Sequence, residues 1–438
     1  MANGKLPLIG LTAATLALSA CVIELWQVSY PGPEEHQSGA LDVAVTDNNE
    51  AVLFVTSYNN ELNERSIFVV KYDDGGNKLW EYEAPGIRQG SFPGNNRFIT
   101  TDTDGAVFFA GFAQGDPITF TKLSADGDFS WERTIESDFN FPTDIKTVGN
   151  QMALLLEAQG TTYYKLHAYS SSGDHLWTLE SPGNCTPFGC ATELDNTTAT
   201  TAPPPYAAKG ELAVLEDNTI IFNSVNALYQ LNAAGDITAE ISAETAGVSG
   251  FSDIADNGSN LVALAETPHS PEALILNRDL DILVRHTVEI PLGTLSALDI
   301  NRQNLICLAT MQQNALDITE ISAGTLWTRQ VASEGNFELL AGVSVSETGK
   351  CYVSAVESKD AEPRDDGTSA DRPISSKTLV YNTSGKLTDE FGELHFLNYS
   401  TRVKGNQVFS AGVSGLYVDG KYNAATKDSA ILYKHRVR

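Results

Sequence analysis

The sequence predicts an all-β protein: an eight-bladed β-propeller of four-stranded blades, with the N-terminal strand closing the last blade. Three observations carry this expectation. A two-hairpin unit repeats along the chain, a Leu-Trp-x4-Pro-Gly pattern recurs at fixed spacing, and the final repeat stops one strand short at Arg438. Repeats of about fifty residues built from short strands are the mark of propellers, because one unit cannot bury its own apolar faces.

The second hairpin of each unit is the clearer one. It reads IFVVKYDDGGNKLWEYEAPG from Ile67 to Gly86 and returns as ITFTKLSADGDFSWERT and YYKLHAYSSSGDHLWTLESPG. Weaker copies are ALYQLNAAGDITAEIS, ALILNRDLDILVRHTVE, ALDITEISAGTLWTRQV and TLVYNTSGKLTDEFGE. Each is a strand, a turn carrying Gly or Asp, and a strand. Trp80, Trp131, Trp177 and Trp327 hold the same place in the second strand. One tryptophan per blade at a fixed site is expected to pack between blades.

A first hairpin precedes each of these, with turns such as VTDNNEAVLFV, TDTDGAVFFAG and RVKGNQVFSAG. Eight first hairpins are present, against seven complete second ones. The eighth second hairpin begins at SAILYKHRVR and has one strand only. Its partner lies at the other terminus, in CVIELWQVSYPG from Cys21 to Gly32. There Leu25-Trp26 and Pro31-Gly32 repeat the spacing of Leu79-Trp80 with Pro85-Gly86 and of Leu176-Trp177 with Pro182-Gly183. Pairing the two ends closes the ring and leaves no open sheet edge. Residues 21–438 then form one domain.

Residues 1–20 read as a targeting segment. Lys5 precedes an apolar run, Leu6 to Ala17, that is short for a bilayer span. The run ends in Leu18-Ser19-Ala20-Cys21, which resembles the lipobox of bacterial lipoproteins. That resemblance implies a signal peptide removed before Cys21, acylation of Cys21, and, with Val22 following, sorting to the outer membrane, facing periplasm or cell surface. Three acyl chains would anchor the chain stably. Lys434, His435, Arg436 and Arg438 are expected near the bilayer, at the end of the propeller where Val22 begins its strand.

The charge is −28, from 56 acidic and 28 basic residues. Such a surface repels nucleic acid, which is excluded as a partner. Beyond the targeting segment there is no apolar run of transmembrane length. Of the five cysteines, Cys185 and Cys190 in NCTPFGC are expected to form a disulfide in an oxidising periplasm. Cys307 and Cys351 lie in apolar strands with opposite parity and are read as buried thiols facing opposite ways.

Gly76/Trp80, Gly127/Trp131 and Gly173/Trp177 carry a glycine four residues before the tryptophan. In this the chain resembles the PQQ-type propeller repeat proteins, which include quinoprotein dehydrogenases and an outer-membrane lipoprotein that helps assemble β-barrel proteins. The Ala-x-Asp start of that repeat is replaced here by Val70-Lys71-Tyr72. No cofactor is expected. The seven histidines show neither H-x-H nor H-E-x-x-H spacing, and no haem or nucleophile-elbow motif occurs. Asp102-Thr103-Asp104-Gly105 is a fragment of a calcium loop that reads as a hairpin turn, so no metal site is expected.

Within each blade the a–b and c–d turns are short. The long connections are Pro85 to Arg97, Ser181 to Gly210, Ser358 to Lys377 and Leu416 to Asp428, all d–a or b–c loops on one face. They and a shorter d–a loop carry Phe92, Phe141, Tyr206, Tyr417 and Tyr422, a candidate binding face. The expected function is a monomeric, lipid-anchored, non-catalytic propeller that binds an envelope protein through this face. The alternatives are a polysaccharide or small-ligand binding propeller and a quinone-cofactor-type dehydrogenase.

Overall fold

The protein is seen in a computed structural model that describes residues 22–437 apart from 34–35, 60–63, 85–96, 112–116, 136–139, 160–162, 181–184, 187–188, 191–210, 225, 268–269, 289–294, 312–314, 323, 333–335, 359–373, 393–395, 415–416, 419–420 and 423–428. Eight four-stranded antiparallel sheets form the blades of a propeller. Blade 1 takes its strands a to d from Gln37–Val45, Ala51–Asn59, Glu64–Tyr72 and Lys78–Ala84. Blades 2 to 7 follow in chain order, from Ile99–Thr101 as strand a of blade 2 to Leu387–Phe391 as strand d of blade 7. Blade 8 uses Phe396–Lys404, Gln407–Ser414 and Ser429–Val437, and takes strand d from Val22–Tyr30. Val22 pairs with Val437 and Tyr30 with Ala430, so the two chain ends close the ring as the repeat count predicts. Where the sequence shows only turn signals between blades 4 and 5, a single helical turn, Ala243–Ala246, makes the connection, capped by the Ser242 hydroxyl.

Strand a lines the axis and strand d faces outward. Strand b is buried on both faces: Ile306–Met311 of blade 6 is wholly enclosed. Strand d buries alternate residues only, as in Lys78–Ala84. The apolar clusters cross from blade to blade. Phe54 of blade 1 stacks on Phe98 at the start of blade 2, 5.4 Å between ring centres.

Consecutive blades are joined at their outer edge by one repeated contact. The tryptophan of strand d lies on the c–d turn of the next blade, over a glycine with positive φ. Trp26 lies on Gly76, Trp80 on Gly127, Trp131 on Gly173, Trp177 on Gly235 and Trp327 on Gly385. A Cβ at any of these glycines would stand 2.5–2.9 Å from the indole. The backbone turn (φ +70 to +87°) and the overlying ring each require glycine. The indole N–H donates to a carbonyl in the same turn: Trp26 to Asp74, Trp80 to Ala125, Trp131 to Ser171 and Trp177 to Ala233, at 2.8–3.1 Å. In three blades a lysine on strand c, paired across from the tryptophan, donates to the same carbonyl. These are Lys434 to Asp74, Lys71 to Ala125 and Lys122 to Ser171. Packing between blades is therefore the role of the tryptophans, as the repeat implied.

Lys434 corrects an expectation. It is fully buried, ion-paired with Asp74 and 4.9 Å from the Phe409 ring. His435 is buried against Phe391, and burial pushes its pKa down to about 4. Neither side chain is available to a bilayer. They alternate across strand c, so both blade faces claim them. Arg438 lies outside the described residues.

The cysteines supply a second correction. Cys307 and Cys351 form a disulfide, with Cα atoms 5.6 Å apart. Their opposite parity does turn them to opposite faces of their own strands. Stacked blades meet face to face, however, so the forward face of blade 6 touches the backward face of blade 7. The bond closes a loop of 44 residues, which corresponds to ~4 kcal/mol on chain-entropy grounds. Non-reducing peptide mapping should recover the Cys307–Cys351 cross-link. Cys307→Ala/Cys351→Ala should unfold at lower temperature by a corresponding amount. Free thiols at both positions in exported protein would refute the bond.

At the junction of blades 4 and 5 the pair is inverted. Ala239 stands where strand d of five other blades carries tryptophan, and Leu280 replaces the turn glycine, with φ +62°. Leu280 is buried in the same apolar cluster that Ala239 packs against. The volume has moved from strand to turn. Ala239→Trp and Leu280→Gly should each destabilise by about 2–4 kcal/mol, through overpacking and a cavity respectively. The double variant should recover most of that loss. Additive losses in a denaturant-melt cycle would show that the two positions are not exchanging volume.

Candidate binding channel

The axis is built from the a strands. In blades 1, 3 and 5 a register shift falls just before an aspartate: Asp42, Asp144 and Asp253. A bulge adds one residue and re-aims the next side chain. Each aspartate thereby reaches sideways to the neighbouring blade. Asp42 accepts from the Phe98 and Ile99 amides, Asp144 from Leu212 and Asp253 from Leu298. Asp299 of blade 6 does the same for Val345, and Glu211 for Ile254. These carboxylates staple the inner edges of adjacent blades, joined between blades 2 and 3 by the Arg97 amide donating to the Thr143 carbonyl at 3.1 Å.

Inside them lies a cavity of about 250 Å³. Its charged lining is Arg97, Asp144, Lys146, Glu211, Asp253, Asp256, Asp299 and Arg402. Several of these residues, among them Lys146, Asp256 and Arg402, fall in the later half of their a strands. The cavity therefore extends toward the end of the short a–b turns. Arg402 pairs with buried Asp42 at 2.9 Å, and Arg97 approaches Asp144 at 3.9 Å. The Lys146 pKa is lowered, chiefly by burial and then by the Arg97 charge. Burial raises the Asp144 carboxyl, against the pull of Arg97.

Two carboxyls titrate close to neutrality. Burial lifts Asp299 to about 6, although the Val345 amide and the Ser344 hydroxyl pull it down. Glu320, fully buried on strand c of blade 6 opposite Trp327, is lifted to about 7 by desolvation. A carboxyl raised in the folded state binds its proton more tightly there than in the unfolded chain. Its contribution to stability is full below about pH 4 and is lost as pH rises through 6 to 7. The melting temperature should therefore fall from pH 5 to pH 7.5, and Asp299→Asn with Glu320→Gln should flatten that fall. An unchanged slope in the double variant would assign the titration to other groups.

The lining holds neither histidine nor cysteine, and its two serines, Ser344 and Ser400, donate to Asp299 at 3.0 Å and to Asp42 at 2.8 Å. The arrangement can hold a small polar molecule by charge and hydrogen bonds. Among the described residues no cluster of three His, Cys, Asp or Glu is placed to bind a metal ion.

The residues singled out in the sequence lie elsewhere. Cys21, Phe92 and Tyr206 are outside the described residues. Phe141 belongs to strand a of blade 3, three positions before Asp144. Tyr417 and Tyr422 face each other in a two-residue ladder within the b–c connection of blade 8. Cys185 and Cys190 are likewise directly paired in a two-residue ladder. The staple aspartates went unread, yet they left a signal. Asp42-Val43, Asp144-Ile145, Asp253-Ile254 and Asp299-Ile300 repeat one dipeptide in four first hairpins.

No known protein family matches the sequence, and no curated protein matches it. Solved structures do. The Dos1 propeller aligns with a TM-score of 0.53 at 8% identity, over 95% of this chain and 95% of that one. The WD40 domain of Toxoplasma gondii coronin aligns at 0.46 and 9% identity, over 80% of this chain and 84% of that one. The Neurospora crassa Pan2 WD40 domain aligns at 0.43 and 12%, over 76% and 92%. At these identities the first likeness speaks for the fold alone.

Proposed function

We propose that the protein is a lipid-anchored, non-catalytic propeller of the bacterial cell envelope that binds a protein partner through its long-loop face. The observation that carries this is the polarity of the ring. The N-terminal segment joins strand d of blade 8 at Val22, at the short-turn end, while the four long connections leave from the opposite end. This polarity supports a reading in which an attachment at Cys21 leaves the loop face pointing away from it. The Cys307–Cys351 bond supports an oxidising compartment and hence export. Tyr417 and Tyr422 are register partners in the b–c connection of blade 8, and tyrosine is a residue type that suits anchoring contacts.

Photo-crosslinking from Tyr417 in intact envelope should trap one discrete protein. Tyr417→Ala/Tyr422→Ala should abolish its capture in a pull-down while leaving the melting temperature unchanged. Capture equally strong in the variant would move the contact off this face. A second reading, a small-ligand binding propeller, is favoured by the charged channel cavity. It expects Lys146→Ala to change the binding of a small anionic or zwitterionic metabolite while the loop-face contact survives.

A further inference from the structure

The short-turn end carries a feature that the proposed loop face does not use. At the start of strand d, beside the c–d turn, blades 1 to 7 each expose a large apolar side chain, with Val284 exposed next to Leu283 in blade 5. The seven are Leu79, Phe129, Leu176, Ile237, Leu283, Leu326 and Leu387, each between 39 and 55% exposed. Together they make a rim around the outer edge of one end of the propeller. In blade 8 the counterpart of Leu79 is Leu25, directly before Trp26, and the strand runs on past it to Val22.

We propose that this rim seats the propeller on a bilayer, with the apolar side chains entering the interfacial layer and the loop face held away. The inference rests on the reading that the N-terminus is anchored. The strand begins at Val22, directly after Cys21, so an anchor there holds the short-turn end against the lipid with no tether. Seven side chains spaced around a circumference fit a plane. The turns that project beside the rim expose Asp47, Asp104, Asp126 and Asp174. The exposed basic side chains at this end, Lys78, Arg278, Arg302, Lys386 and Arg436, offset only part of this charge, because Asp74, Asp128, Asp217, Asp236, Asp279 and Asp281 are exposed beside them. The surface this end accepts is therefore zwitterionic, and an anionic one is repelled.

The test uses the anchored protein in a Cys185→Ser/Cys190→Ser background, carrying a fluorophore at Leu176→Cys or at Thr134→Cys. Thr134 is exposed near the far end of strand d of blade 2. In phosphatidylcholine vesicles, a quencher on the acyl chains should quench position 176 and spare 134. Quenching of 134 instead, or of neither, overturns the proposal. The mass of the Cys21 peptide reads anchoring separately. Should it carry no acyl chain, the unacylated Cys21→Ser protein still decides the rim, by flotation with the same vesicles. Leu79→Ser/Leu176→Ser/Leu283→Ser should weaken flotation about a hundredfold, from roughly half of each leucine's transfer free energy. Phosphatidylglycerol vesicles should bind the parent protein less well. No flotation of the unacylated parent, or a dimer that the same serines dissolve, would make the rim something other than a membrane seat.

Discussion

Everything in this fold depends on how one blade sits on the next. A four-stranded sheet is apolar on both faces and is stable only when covered twice. The blades diverge outward, so their inner strands pack by shape while their outer strands would gape. The tryptophan on strand d spans that gap. It covers a glycine in the following turn, and with a lysine in three blades it satisfies a carbonyl that the tight turn leaves free. At the axis the task is reversed, since the a strands crowd together without pairing. There short aspartates reach the neighbouring amides. Wide outer gaps take the largest side chain, and narrow inner ones take a small charged one.

Two of the three exceptions obey the same constraint, and the third, Val284 of blade 5, stands exposed at the tryptophan position. Blade 7 carries Asp389 there. Its neighbour, blade 8, has no c–d turn to cover, because its c and d strands are the two chain ends. An indole there would lack its glycine and its carbonyl acceptor. Blades 4 and 5 exchange large and small between strand and turn, and the space stays filled. The repeat is thus conserved as a contact between units rather than as a sequence within one.

That distinction explains what the sequence disclosed. Strand–turn–strand periodicity and turn glycines are local, so the eight blades and the terminal closure were legible. Gly76 and Trp80 are four residues apart and look like one motif, yet each belongs to a different contact: Gly76 meets Trp26, and Trp80 meets Gly127. Parity within a strand correctly set Cys307 and Cys351 on opposite faces. The error lay in treating opposite faces as distant, when the ring brings them together. Lys434 read as a basic tail because its partner, Asp74, is 360 residues away. The channel charges were hidden for a different reason. Single aspartates in apolar strands resemble interruptions until the register shift before each shows where it points.

Ring closure by the two termini also fixes an order of events in time. The strand Val22–Tyr30 is synthesised about 400 residues before its partner Ser429–Val437. At about 5–20 residues per second, the first strand waits on the order of half a minute or more for its ladder. During that interval blade 1 has an uncovered face, and Trp26 has no strand to hold it over Gly76. Seven blades can condense in sequence as each follows its neighbour. The eighth cannot nucleate locally, since its ladder joins the most distant segments of the chain and carries the largest loop-closure cost. Docking of the ends is therefore the final and slowest step. A chain lacking either closing strand would remain an open arc with both edges bare.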